Sequence, residues 1–254
     1  MEFGERITYK LDDHVAVLTI NGVGPLNILD KPFYAGYNDA LVQFRDDDEA
    51  RVLVIRSGNP NHFTAGFDVK TIHQGLKEGW GFLLSDNDMV TPKPIVSAIK
   101  GWCIGEGFGL MLASAFVFAD ETSRFMCPET KLGFNAVTMQ VKLTQRIGSN
   151  RAISFMMPGD EHDVWWLERV GLCNMVCHGD VDERALAFAH RLATECGPIA
   201  VRGTKGAVWH TVNSNMDEAI DFALWAKDIA LESKDIEEGI AAFIEKRPPE
   251  FKNE

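Results

Sequence analysis

The chain is short of positive charge. Its 25 Lys and Arg stand against 37 Asp and Glu, for a formal net charge of −12. With no basic stripe to offset that balance, nucleic acid and anionic membrane surfaces are not expected as main partners. Apolar runs are short, and none approaches the roughly 20 residues of a membrane span. Cysteine is sparse and odd in number: Cys103, Cys127, Cys173, Cys177 and Cys196. Cys173 and Cys177 are not matched by a second Cys or His pair at zinc spacing, so no metal site is expected. The opening Met1-Glu2-Phe3-Gly4-Glu5-Arg6 is too charged for a secretory leader. Reduced thiols and a cytoplasmic protein are the expectation. Internal repeats and low-complexity tracts are missing too.

What is present starts with apolar content. At 254 residues and 46% hydrophobic, the chain suits one domain or a domain with a helical appendix. Its organising stretch runs from Lys93 to Ser114. Ile95 to Ile99 is a short apolar strand bounded by Pro94 and Gly101. Gly105, Gly107 and Gly109 then recur at every second position and lead into the uncharged Leu110 to Ala115, a buried helix. Main-chain N–H groups at such a turn suit a phosphate or a developing oxyanion. The Lys-Ser/Thr of a P-loop and strict G-x-G-x-x-G spacing are both lacking, which weakens the phosphate option. Tight packing of helix on strand is the bland alternative.

Around that stretch the chain alternates strands and helices. Val15 to Ile20 is a strand ending at Asn21-Gly22. Asp30 with Lys31-Pro32 opens a helix whose Tyr34, Tyr37, Leu41 and Phe44 mark a core face. Val52 to Ile55 is a strand buried on both faces. Thr71 to Thr91 lacks a clear period and is read as a mobile loop, long enough for a lid. Phe116 to Ala119 and Ser123 to Met126 are further strands, and Val170 to Val176 is the last strand-like run. Helices are expected at Thr138 to Ile147, Asn150 to Met157, Asp182 to Cys196, Ile199 to Asn213, Met216 to Glu232 and Ile236 to Lys246. The class is α/β.

Three motifs follow in order: Ala65-Gly66-Phe67-Asp68-Val69-Lys70, Gly105-Glu106-Gly107-Phe108-Gly109, and Pro128-Glu129 followed by Leu132-Gly133. Together they resemble the crotonase (enoyl-CoA hydratase/isomerase) superfamily, over about Val15 to Arg247. The resemblance implies a spiral of ββα units with a helical C-terminal region. It divides the chain into a core of residues 1–195 and a trimerisation region of residues 196–254, in a homotrimer or a dimer of trimers. It also implies an acyl-CoA substrate, with coenzyme A arriving as part of the thioester rather than as a resident cofactor. The thioester enolate would be held by the N–H groups of Phe67 and Glu106. Such donors act because they are fixed before the charge develops.

The acids then decide the reaction. Hydratases of this superfamily use two glutamates; the second matches Glu129, but the position of the first holds Gly109. A single acid still suffices to carry a proton from C2 to C4, so an isomerase with Glu129 as base is expected, its pKa raised by an apolar pocket. The alternative is that Glu129 only caps its turn. Glu106 stands where relatives have glycine or a small residue, and is either a second acid or turned away into the protein. Asp68 reads as a cap. His62 and His73 either line the site or serve packing and surface. By the resemblance Ala65, Lys70, Phe243 and Lys246 contact the cofactor, joined by Arg247; the alternative for the last helix is a solvated basic end. Trp80, Phe82 and Phe134 are acyl-pocket walls or core. The rival functions are hydratase or another enolate-forming enzyme, and a non-catalytic acyl-CoA- or RNA-binding protein.

Overall fold

The central sheet owes its form to strands that are apolar on both faces. The computed structural model describes residues 1–71, Gln74, Lys77 and 91–254. Its first strands, β1 (Glu2–Phe3), β2 (Ile7–Asp12) and β3 (Val15–Ile20), pair antiparallel. Parallel pairing then runs from β3 through β4 (Val52–Ser57), β5 (Ile95–Ile99), β7 (Phe116–Asp120) and β10 (Met175–Cys177). The strand order in this sheet is β1-β2-β3-β4-β5-β7-β10. A smaller sheet holds β6 (Trp102–Ile104), β8 (Arg124–Met126) and β9 (His162–Asp163), in the order β6-β8-β9.

Along β4 successive residues enter opposite cores. Leu53 and Ile55 join the main core; Val52 and Val54 join the second. Parallel sheets are covered on both sides, so their strands read as continuous apolar runs. The second core is closed by helix α6 (Val181–Glu195), numbered below in chain order, through Val181, Ala185, Ala189 and Ala193. Four-residue spacing puts these on one face, and three alanines let the helix lie close to the sheet.

Among the described residues, the helices that precede α6 include α1 (Lys31–Asp46), α2 (Glu106–Leu112), α3 (Thr138–Ile147), α4 (Ser149–Met156) and α5 (Val164–Arg169). Helices α7 (Pro198–Asn213), α8 (Met216–Glu232) and α9 (Lys234–Glu245) form the C-terminal region. The tail after α9 returns to the core: Arg51 Nη2 donates to Phe251 O at 2.6 Å, and Asp235 Oδ1 accepts from Lys252 N at 2.8 Å.

The start of α1 is pinned as its sequence signal predicts. Asp30 accepts from Phe33 N at 3.3 Å and from Arg6 Nη2 at 2.8 Å. Asp30→Ala removes a cap worth about 1 kcal/mol and leaves a half-buried Arg6 without its carboxylate. We expect a loss of about 1–2 kcal/mol in urea unfolding with the slope unchanged; no shift of the midpoint would contradict the cap.

Several elements depart from the sequence reading. The N-terminal pair β1 and β2 carries weak apolar alternation and was not foreseen. Strand β6 lies between Gly101 and Gly105, so the glycine stretch is strand, turn, strand, turn, helix. Val170 to Val176 is not one strand: Val170 caps α5, and only Met175–Cys177 pair. The expected lid, with His73, Trp80 and Phe82, lies outside the described residues, apart from its ends, Thr71 and Thr91, and Gln74 and Lys77.

Candidate active site

The site is assembled from three backbone segments that share one register. The chain before Phe67 lies parallel to β6, bridged at Thr64 and Cys103. Thr64 N donates to Trp102 O at 2.9 Å, and Ile104 N donates to Thr64 O at 3.0 Å. Beyond Ile104 the two segments stay close, a Cβ on Gly66 falling 3.3 Å from Glu106 N. On its other side this segment pairs with Leu29, which donates to Gly66 O at 2.9 Å and accepts from Asp68 N at 3.0 Å. Because alternate residues of an extended chain present their amides to opposite sides, the Phe67 N–H is turned away from Leu29.

Two glycines make this approach possible. Gly66 has φ +85°, and a Cβ there would fall 2.5 Å from Ile104 O and 3.3 Å from Glu106 N. Gly105 has φ +53°, and its carbonyl accepts from Phe108 N at 2.8 Å to start α2. Both conformations are costly for residues with a Cβ.

Glu129 comes from the third segment, a 3₁₀ turn over Glu129–Leu132 that Gly133 ends in the left-handed conformation. Its side chain is only 7% exposed. Oε1 lies 3.0 Å from where a Gly105 Cβ would stand, so the carboxylate rests against the turn that presents the Glu106 amide. Oε2 is buried and has no hydrogen-bond partner. Burial raises the pKa of Glu129; a bond from its own N–H acts in the other direction.

Other groups converge on this spot. Half-buried Tyr34, on α1, sets its ring 5.9 Å from that of Phe67. Burial holds the phenol protonated, and the charge of Glu106 adds to the effect. Buried Cys127 is likewise raised by burial first, then by the charges of Glu129, Cys103 and Glu106. The Tyr34 ring thus adjoins Phe67, as the Glu129 carboxylate adjoins Gly105. Tyr34 was missed in the sequence because its helical spacing with Tyr37 and Leu41 marks only a core face.

The remaining expected residues are dispersed. Ala65 adjoins Gly66 and donates to Leu26 O at 2.9 Å. Lys70 is exposed, and its amide donates to Asp68 Oδ1 at 3.1 Å, so Asp68 caps this turn as expected. His62 packs behind β6, its Nδ1 accepting from Trp102 N at 3.3 Å. Phe243, 86% exposed, and Lys246 sit at the end of α9. Among the described residues no hydrogen bond, ion pair or ring contact joins them to Glu129 or the glycine turns. Phe134 is 44% exposed, so it is not core; its amide donates to Glu129 O at 3.2 Å.

A family model described as enoyl-CoA hydratase/isomerase matches residues 10–254. The chain belongs to the enoyl-CoA hydratase/isomerase family. A "Probable enoyl-CoA hydratase" of Rhizobium meliloti is 29% identical over 256 residues, covering 98% of each chain. A carnitinyl-CoA dehydratase of Salmonella typhi is 29% identical over 239 residues, 89% of this chain and 90% of its own. Among solved structures, an enoyl-CoA hydratase from Bacillus anthracis superposes with a TM-score of 0.91 at 25% identity, over 98% of this chain and all of that one. The fold is thus the crotonase-type α/β arrangement with its helical C-terminal region. Within this family, the present chain combines Gly109 on a buried helical turn with Glu106 at the start of the same helix. Among the described residues no helix is long and apolar enough to cross a membrane, and no group of three or more His, Cys, Asp or Glu is placed to hold a metal.

Proposed function

We propose that the protein is an acyl-CoA enzyme that shifts a double bond through a thioester enolate, with Glu129 as its acid/base. The observation that carries this reading is the seating of the Glu129 carboxylate against Gly105. A substrate carbonyl held by the amides of Phe67 and Glu106 puts its C2 hydrogen next to that carboxylate. Glu129 takes the proton from C2 of a 3-enoyl thioester, and the electron pair moves onto the thioester oxygen, where the two N–H groups stabilise it. The carboxyl then returns the proton at C4, leaving a C2=C3 double bond. Nothing is gained or lost, so one carboxyl is enough.

A second reading is hydration, with Glu106 as the second acid. It is supported by the effect of the Glu106 charge on Tyr34 and Cys127 and by the names of the relatives. The two separate on incubation with 2-enoyl-, 3-enoyl- and 3-hydroxyacyl-CoA of several lengths, read by mass spectrometry. The isomerase reading expects interconversion of the enoyl thioesters without mass change; a gain of one water would overturn it. We expect Glu106→Gln to keep at least half of isomerase turnover, since its amide remains. A loss of about 10²-fold or more would instead make its carboxylate the second acid.

Recognition of the coenzyme A part is assigned to Ala65 and Lys70, and to Phe243 and Lys246 from a neighbouring copy. The apolar side chains left exposed on the C-terminal helices, among them Val208, Leu224, Trp225 and Phe243, support residues 196–254 as the oligomer contact. We place the chain in a homotrimer or a dimer of trimers, acting in the cytoplasm without nucleic acid, membrane or resident cofactor.

A further inference from the structure

Glu129 sits on a turn of four residues, and short 3₁₀ turns have poor hydrogen-bond geometry of their own. Something outside the turn must hold it. The structure shows what does. Thr130, the next residue, turns its hydroxyl the other way and donates to Met157 O at 3.0 Å, with Met156 O at 3.4 Å. Those carbonyls end α4, where helix carbonyls lack intrahelical partners. Two residues on, Gly159 has φ +61°, and a Cβ there would meet Cys127 O and Pro128 Cα, each at 3.1 Å. Lys131 closes the other end, its Nζ 3.0 Å from Asp160 Oδ1. The loop from Met157 to Asp160 therefore grips the Cys127–Lys131 segment from behind while Glu129 faces the glycine turn.

We propose that Thr130 is a positioning residue for Glu129, with the end of α4 as its anchor. This rests on the reading of Glu129 as the acid/base. Adjacent residues of a 3₁₀ turn are rotated by about 120° and move as one unit, so rotation that frees the Thr130 hydroxyl also withdraws the carboxylate from Gly105. Displacements of about 1 Å at a reacting group cost on the order of 10²-fold in rate. The Lys131–Asp160 pair is an exposed ion pair and contributes little by itself.

The test uses the full chain and follows deuterium uptake from solvent at C2 of butyryl-CoA. Thr130→Val keeps the shape and removes the donor. We expect the saturating rate to fall about tenfold to a hundredfold with the half-saturating concentration within about twofold. The lower limb of the pH profile moves down, because a withdrawn carboxylate is better solvated. Thr130→Ser, which restores the donor, recovers most of the rate. In a Glu129→Gln background Thr130→Val adds no further loss. An unchanged rate and pH limb in Thr130→Val, with only a lower melting temperature, would overturn the proposal, and so would a full additional loss in the double variant. Retention of exchange in Glu129→Gln alone would instead overturn the reading of Glu129. Should Thr130→Val not fold, Gly159→Ala displaces the same segment through its Cβ, and an unchanged rate there counts against the proposal.

Discussion

Glu129→Gln is expected to lower double-bond shift and C2 proton exchange by about 10²- to 10⁴-fold, without loss of thermal stability at neutral pH. The two halves of this expectation have one cause. The carboxylate is buried, and its Oε2 has no partner, so the ionised form is held at a cost that glutamine avoids. Glutamine has the same shape but cannot accept a proton. A melting temperature equal to or above wild type, with turnover abolished, is the expected pair of results. Turnover within twofold of wild type would remove Glu129 from the chemistry.

The same burial sets the pH dependence. The pKa of Glu129 is raised, and the base form is needed for proton removal. The rate should climb with pH along a limb displaced above the ordinary carboxylate range. Stability runs in the opposite sense. Once pH exceeds the unfolded value, near 4.5, the unfolded chain has released a proton that the folded chain retains. Stability contributed by this group is therefore full below that value and is lost as pH rises through the folded pKa. Thermal melts of wild type and Glu129→Gln across this window should diverge, with the variant losing less on the alkaline side. Parallel curves would show that burial does not perturb this carboxyl.

Gly66→Ala should be strongly damaging to turnover. The new Cβ would overlap Ile104 O at 2.5 Å, in a backbone conformation at φ +85°. The left-handed conformation alone costs roughly 1–2 kcal/mol for a residue with a Cβ. Relief of the overlap requires the Phe67 segment to move away from β6, which takes the two amides out of register. Removing one donor of this kind costs about 10²- to 10³-fold in kcat, and here both are disturbed. Gly171→Ala supplies the control. Its φ is +81°, yet nothing lies within 4 Å of the added Cβ, so it should carry only the dihedral cost and leave turnover alone. If Gly66→Ala behaves like Gly171→Ala, the register argument fails.

Much of the local structure around the candidate site was legible in the residues themselves, because each part is local. Gly105 and Gly66 stand where only a missing Cβ allows the turn, and Asp68 and Asp30 cap what their neighbours begin. The residues that escaped notice lack such local signatures. Tyr34 falls on a helix at core spacing, and only the approach of α1 to the Phe67 segment makes it part of the site. Thr130 is an ordinary turn residue until α4 presents its last carbonyls. Strand β6 is three residues long, too short for periodicity to declare.

By itself the amino-acid order determined the α/β class, the helical C-terminal third and the glycine turns, since each follows from side-chain periodicity or from a backbone angle that few residues tolerate. Only the tertiary structure decided that the Gly66 segment lies against Ile104 and Glu106, that the Glu129 carboxylate rests on Gly105, and that the end of α4 accepts from the turn behind it. Those relations join segments tens of residues apart. They depend on strand register and packing distance, which no short run of residues encodes.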